Sequence, residues 1–391
     1  SSMFDNYYSV KKLNVSNFNT GKVKDMSKMF NNCVKVDYLN LDKFDTKNVV
    51  DMSSMFSNCV AIKKLNVSNF DTTFVVNMES MFRSCNSLSS LNTSNFNTIR
   101  VIDLSRMFEN CKNLAILDVS NFKTDKVTNM KYLFSGCESL KFLNVSQFDT
   151  KKVVDMRGMF QTCKRILELN VSNFNTSKVQ NMSSLFRNNN ILNSLNVSSF
   201  DTSKNKDFSY MFSECNFVTS LDTSKFNTKQ GIDMSYMFHN CRSLKKINVE
   251  SFDTSNVQNM LEMFSGLFSL KELNLSSFNT KLIKDMSRFF YGCCNLLSLD
   301  VSKLDTSNVE NMFNMFGENK YLLSLNLNNF NTKKVKNMSK MFEGCEHIRT
   351  LDLKKFDTSS VVDMSHMFED CKKIENVLVS SFNTEKVNDM S

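Results

Sequence analysis

The chain contains twelve cysteines, the residues here best able to form disulfides, bind metal ions or act as nucleophiles. Eleven of them recur at multiples of 26 residues from Cys33, and Cys294 is the exception. The pattern favours buried free thiols that pack as small apolar side chains. Disulfides between neighbouring repeats remain open, since they require only that the Cα atoms approach within about 7 Å. A metal site is disfavoured because the sequence has no C-x-x-C pair and no Cys/His cluster.

The other residues that could support catalysis are scattered. The three histidines, His239, His347 and His366, share no motif, and no Ser-His-Asp, HExxH, P-loop or GxGxxG pattern occurs. Asp and Asn recur at the positions of Asn19 and Asp25, which could suggest calcium. Because Asn replaces Asp freely in both series, turn and cap roles explain these residues better. We expect no enzyme activity, no metal and no other cofactor.

All these residues follow one 26-residue repeat, which runs through the chain without insertion or deletion. A fixed period of this size is typical of a solenoid, in which each coil is too small to fold alone and buries its apolar side on its neighbours. Residues at equivalent positions of successive coils form a column. The clearest column consists of Phe18, Phe44, Phe70, Phe96, Phe122, Phe148, Phe174, Phe200, Phe226, Phe252, Phe278, Leu304, Phe330, Phe356 and Phe382.

Each coil contains a predicted strand. Leu13 and Val15 alternate with Asn14 and Ser16, as expected for a short strand with one buried face. The spacing of apolar residues around it fits the leucine-rich-repeat pattern. Thr20, which recurs in all fifteen copies, is predicted to satisfy backbone groups at the corner after the strand.

A short helix is predicted to follow. Met26, Met29, Phe30 and Cys33 have the i, i+3, i+4, i+7 spacing of one apolar helix face, and Asp25 is placed to cap its first turn. The predicted fold is an α/β solenoid of the leucine-rich-repeat kind. It would have about fifteen right-handed coils, each with one short strand and one short helix. The predicted core columns are those of Leu13, Val15, Phe18, Phe44, Phe70, Met26, Met29, Phe30 and Cys33.

Residues 1–391 are predicted to form a single repeat array that begins and ends in mid-repeat, since no linker or change of composition interrupts it. The sequence has no run of 18 apolar residues and no signal peptide. We expect any export signal or membrane anchor to lie outside this fragment.

Two sets of columns are candidate binding surfaces. The column of Asn14, Asn40 and Asn66 lies between buried strand positions, so these amides are predicted to face solvent and to form a hydrogen-bonded ladder or a flat polar surface for ligands. The second set is a basic stripe that includes Lys126, Lys152 and Lys178, in a chain of net charge +8. Aromatic residues are nearly absent from the stripe, so no specific nucleic-acid binding is expected, while weak attraction to anionic glycans or surfaces remains open.

The repeat resembles that of the BspA-like leucine-rich-repeat surface proteins of bacteria. The resemblance rests on the segments Leu65-Asn66-Val67-Ser68-Asn69-Phe70-Asp71-Thr72 and Asp51-Met52-Ser53-Ser54-Met55-Phe56-Ser57-Asn58-Cys59, and it extends over the whole chain. It implies an extracellular or cell-surface array used in adhesion or in contact with a host or matrix, and it brings no catalytic residues.

We therefore predict a non-catalytic surface protein that binds a host or matrix protein or glycan through many weak contacts. The alternative is a structural protein that forms filaments or fibres by head-to-tail stacking of solenoids.

Overall fold

The computed structural model describes residues 2–391; Ser1, the first residue of the predicted array, lies outside them. The chain forms two compact units, which divide between Phe200 and Asp201. Each unit is a β-solenoid in which parallel pairings join residues 26 positions apart. The single array over residues 1–391 and the right-handed winding stay predictions.

Residues 2–391 contain ten short strands. They lie at the predicted strand position, and each pairs in parallel with the strand of an adjoining coil. The predicted strand is confirmed in these coils, but the expectation of fifteen equivalent coils is wrong. Each of these coils contributes only two or three residues to the strand pairing. In other coils the pairing is reduced to an isolated bridge, such as that between Lys12 and Tyr38. The pairs are β1 (Ser90–Leu91) with β2 (Ile116–Leu117), β3 (Glu168–Leu169) with β4 (Ser194–Leu195), β5 (Ser220–Leu221) with β6 (Lys246–Ile247), β7 (Ser298–Asp300) with β8 (Ser324–Asn326), and β9 (Thr350–Asp352) with β10 (Asn376–Leu378).

The predicted helix is wrong. Residues 2–391 contain strands, bridges and turns but no helix, and therefore none long and apolar enough to cross a bilayer. Where the helix was expected, Met29 N–H donates to Met26 O at 3.2 Å and Cys33 N–H donates to Phe30 O at 3.3 Å. These are bonds of two successive tight turns rather than of a helix.

Backbone torsions explain why turns replace the helix. Lys28 has a φ of 55° and Asn32 a φ of 57°, both in the left-handed region, and the same two columns repeat these values along the chain. Alternate N–H groups, such as those of Lys28 and Phe30, therefore donate to carbonyl oxygens of the next coil, whereas those of Met29 and Asn31 donate within their own turns. Met26 N–H donates to Asp51 O in the next coil at 2.9 Å, a bond that an α-helix would have kept within its own segment.

The Asp25 column joins the coils at a further position. Asp25 forms a parallel bridge to Asp51, and its carboxylate accepts a 2.8 Å hydrogen bond from Ser27 N–H. The side chain therefore caps the segment as predicted, although a turn follows it. Asn129 Nδ2 also donates to Asp103 Oδ2 at 3.0 Å, so amides and carboxylates of this column bond from coil to coil.

The predicted role of the threonine column, which is to satisfy backbone groups at the corner after the strand, is confirmed. Thr20 Oγ1 donates to Asp45 O at 3.0 Å and accepts from Asp45 N–H at 2.8 Å. Thr72 makes the same pair of bonds with Asn97. One buried hydroxyl thus satisfies both backbone groups of a residue in the next coil.

The core lies inside these ladders. The rings of Phe30 and Phe56 stack in nearly parallel planes with centroids 5.6 Å apart, and this stacking continues along both units. In the outermost coil, Leu13 and Phe18 are only half-buried. The other predicted core residues are buried, namely Val15, Met26, Met29, Phe30, Cys33, Phe44 and Phe70.

Candidate ligand-binding surface

The outward side of the strand segments forms a surface in the first unit that we call the strand face. In one coil it comprises Phe142, Asn144 and Ser146, and in other coils the residues at multiples of 26 from these. Leu143 and Val145 between them are buried, so the alternation of an extended chain turns the three side chains outward.

Hydrogen bonds within each coil fix the amides of this face. Asn144 Oδ1 accepts a bond from Ser146 N–H at 3.1 Å and a second from Ser146 Oγ at 2.7 Å. The pairs Asn170 with Ser172 and Asn196 with Ser198 repeat this geometry. Because the oxygen is engaged within the coil, each Nδ2 group is held as an oriented donor.

The predicted amide ladder in the Asn14 column is wrong. Asn14 and Asn66 are exposed and Asn40 is half-buried, but among residues 2–391 no hydrogen bond joins one of these amides to the next. The physical reason is that Asn14 Oδ1 already accepts Ser16 N–H at 3.0 Å. Hydrogen bonds from a side-chain amide to the next coil occur in the Asp25 column instead, as from Asn129 to Asp103.

The exposure of large apolar side chains on the strand face was not predicted from the sequence. Phe142 is 73% exposed and Ile116, in the adjoining coil, is 70% exposed. Apart from Tyr38, their column otherwise holds polar residues such as Lys64 and Glu168, so a large apolar residue there was a visible signal. A groove of about 400 Å³ lies beside Phe142 and is lined by Asn144, Ser146, Glu168, Asn170, Ser194 and Asn196.

The same repeat identifies the family. A family model described as "Mycoplasma protein of unknown function, DUF285" matches residues 1–115, 88–168, 128–247, 162–273, 218–324 and 322–391, which together span the chain. The chain belongs to the DUF285 family. Among curated proteins, none matches this sequence.

Several solved structures are similar to the DUF285 chain. A leucine-rich repeat protein from Bacteroides ovatus is 17% identical, with 95% of this chain and 85% of that chain covered and a TM-score of 0.44. A leucine-rich cell surface protein from Faecalibacterium prausnitzii is 12% identical over 75% and 77% of the two chains, with a TM-score of 0.32. A leucine-rich repeat protein from Eubacterium ventriosum is 15% identical over 78% and 70% of the two chains, with a TM-score of 0.27.

The predicted basic stripe lies apart from the strand face in the sequence of each coil. Lys126, Lys152 and Lys178 are exposed and follow the buried threonine corner, whereas the amides precede it. The DUF285 chain therefore presents its two predicted sets of binding columns on separate segments of the coil.

The cysteines of the DUF285 chain fit the interpretation as buried free thiols. Within residues 2–391 no two cysteines form a disulfide, and all are buried except Cys294, which is half-buried. The Cys59 thiol donates to Phe30 O in the preceding coil at 3.1 Å. Burial raises the pKa of Cys111 and of Cys163 to about 12, so these thiols stay protonated and unreactive at neutral pH.

The histidines do not come together. His239 Nδ1 lies 3.2 Å from Glu262 Oε2, His347 Nδ1 lies 2.9 Å from Lys320 O, and a third histidine contacts a glutamate of its own turn. Across residues 2–391 no three His, Cys, Asp or Glu side chains are grouped to hold a metal ion. The absence of enzyme activity and of a cofactor stays a prediction.

Proposed function

We propose that the DUF285 chain is a non-catalytic surface protein that binds an external protein or glycan through the strand face of its first unit. The observation that carries the proposal is the exposure of Phe142 beside a row of oriented amides.

The apolar side chains supply the anchor. A single exposed apolar residue needs no explanation, but Phe142 and Ile116 lie on adjoining coils and leave most of their surface to solvent. An aromatic ring in this setting can pack against a sugar ring or against an apolar side chain of a peptide, and aromatic residues dominate the energetics of interfaces.

The amides supply specificity. Asn144, Asn170 and Asn196 present Nδ2 donors on three successive coils, which lie about 4.8 Å apart. Such a row matches hydroxyl oxygens of a glycan or carbonyl oxygens of an extended peptide. Because the serine hydroxyls already hold the amides in place, binding costs little side-chain entropy.

The proposal also includes a cell-surface location, a role in adhesion and a ligand from a host or matrix. These three parts rest on the resemblance to the BspA-like proteins. We do not propose the filament alternative, because no observation on the described residues favours it.

The test is binding of the fluorescently labelled full chain to an array of purified glycans and of extracellular-matrix proteins. The variant Phe142→Ser should weaken binding to the recognised member at least about tenfold, a loss equivalent to about 1.4 kcal/mol. The matched control is Phe217→Ser, which removes an exposed phenylalanine from the second unit and should leave binding unchanged. An equal loss in both variants, or no loss in Phe142→Ser, would contradict the proposal.

A further inference from the structure

A second surface of the first unit, which we call the ladder face, is formed by the residues equivalent to Arg100 and Ile102. Val101 between them is buried, so both side chains point outward. Along the axis, Ile102 N–H donates to Val76 O and Val76 N–H donates to Val50 O, both at 2.9 Å. This parallel ladder joins successive coils along the face and holds their outward side chains in register.

Part of the ladder face is apolar. Val50, Phe74, Ile99 and Ile102 belong to three successive coils, and each is between 43% and 47% exposed. Val76 is half-buried among them. A contiguous group of this kind differs from the isolated apolar residues that soluble proteins normally expose, and it indicates a contact surface.

The adjoining part of the face is cationic. Arg100, Lys126, Lys152 and Lys178 occupy one column in four successive coils, and none of them forms an ion pair with any residue of the described chain. The Arg100 guanidinium lies 5.0 Å from the ring centroid of Phe74, so the cationic row continues directly into the apolar group.

Acidic residues do not neutralise the row. Segments 97–102, 123–128, 149–154 and 175–180 contain six cationic residues and two acidic ones. The acidic residues are Asp125 and Asp149, and the Asp149 carboxylate is already paired with Lys151 at 2.6 Å. This hydrogen bond lowers the pKa of Asp149, so the pair stays ionised and the row keeps its net positive charge at neutral pH.

We propose that the ladder face of the first unit docks onto a bilayer that contains anionic phospholipids. The apolar group enters the boundary between headgroups and acyl chains, while the cationic row contacts lipid phosphates and carboxylates. A soluble polyanion would use the cations alone and would leave the apolar group in water. An anionic bilayer matches both kinds of side chain on the face.

The absence of tryptophan from the chain permits a direct test. Phe74→Trp places a single tryptophan in the apolar group, and its emission should shift to the blue with vesicles of phosphatidylcholine and phosphatidylserine but not with phosphatidylcholine alone. Brominated lipids should quench it. Phe217→Trp, at an exposed position of the second unit, is the matched control and should show neither effect. Unchanged emission of the Phe74→Trp protein with anionic vesicles would overturn the proposal.

Charge reversal tests the cationic row. The triple variant Lys126→Glu, Lys152→Glu, Lys178→Glu should reduce the affinity for anionic vesicles at least about tenfold, since each basic residue near such a surface contributes to binding. The control reverses three exposed lysines of the second unit, Lys229, Lys281 and Lys333, and so changes the net charge equally. Equal losses in the two triple variants would mean attraction by net charge alone and would overturn the proposal.

Removal of the apolar side chains separates a bilayer from a soluble polyanion. Phe74→Ser with Ile102→Ser should weaken vesicle binding but leave retention on dextran sulfate beads unchanged. Vesicle binding that survives this double variant would identify a plain polyanion site instead. Circular dichroism and gel filtration should match the wild type for every variant, which excludes misfolding as the cause.

Discussion

The side-chain amide of Asn189 donates a 3.0 Å hydrogen bond to the carbonyl oxygen of Phe160 in the preceding coil. The Cys163 thiol makes the equivalent bond to Phe134 O at 3.2 Å. Amide and thiol are therefore interchangeable in this column as buried donors that join successive coils. This explains why asparagine replaces cysteine there without disturbing the repeat.

Asn189→Ala should destabilise the first unit by about 1–3 kcal/mol, because it removes the amide donor to the buried Phe160 carbonyl and the amide oxygen that accepts the Cys163 N–H. Asn189→Cys should cost less, since a thiol keeps the bond to Phe160. Urea unfolding, together with hydrogen exchange of the neighbouring coils, measures both effects. Equal destabilisation by the two substitutions would show that the bond between coils contributes nothing.

The buried thiols predict a loss of stability at alkaline pH. The pKa values of Cys111 and Cys163 are raised to about 12, whereas an exposed thiol has a pKa of about 8.5. The folded chain thus keeps protons that the unfolded chain releases. The free energy of unfolding should be insensitive to these thiols below about pH 8.5 and should fall above it, by up to about 1.4 kcal/mol per pH unit per thiol.

Urea unfolding in reducing buffer between about pH 7 and about pH 10.5 measures this slope. The double variant Cys111→Ala, Cys163→Ala should be less stable at neutral pH but should have a shallower alkaline slope. An identical slope in the wild type and the variant would contradict the assignment of these thiols as buried and protonated.

Substitutions at Ser54 can distinguish the observed turns from the helix that the sequence predicts. Its φ is 55°, which a serine adopts at a cost and a glycine adopts freely. Ser54→Gly should therefore be neutral or stabilise by up to about 1 kcal/mol, and Ser54→Val should destabilise. In a helix, Ser54→Gly would instead destabilise by about 0.5 kcal/mol. The sign of the change in the urea midpoint decides between the two.

The solenoid was predictable because a 26-residue period leaves few other folds. Leu13 and Val15 indicated the strand, and Thr20 indicated the corner, since each residue type has one physical role at its position. The helix was a false inference because two successive tight turns give Met26, Met29, Phe30 and Cys33 the same spacing on one buried side. Sequence patterns of apolar residues do not report the sign of φ.

A signal for the turns was nevertheless present. The column of Asn32 is rich in asparagine and glycine, as at Asn58 and Gly136, and these residues favour the left-handed region. The column of Lys28 gave a weaker signal, because glycine and asparagine occur there only at Gly158 and Asn314. Only part of the binding surface was predictable. The sequence indicated that the Asn14 column faces solvent, but the group to which each amide oxygen bonds depends on the turn geometry.

The most direct measurement for the central claim is hydrogen exchange of the full chain with and without the strongest binder from the array. The strand-face account predicts slower exchange in segments 142–146, 168–172 and 194–198, and no change in the corresponding segments of the second unit. Protection confined to other segments, or unchanged exchange at Phe142 and its neighbours while the ligand is bound, would contradict it.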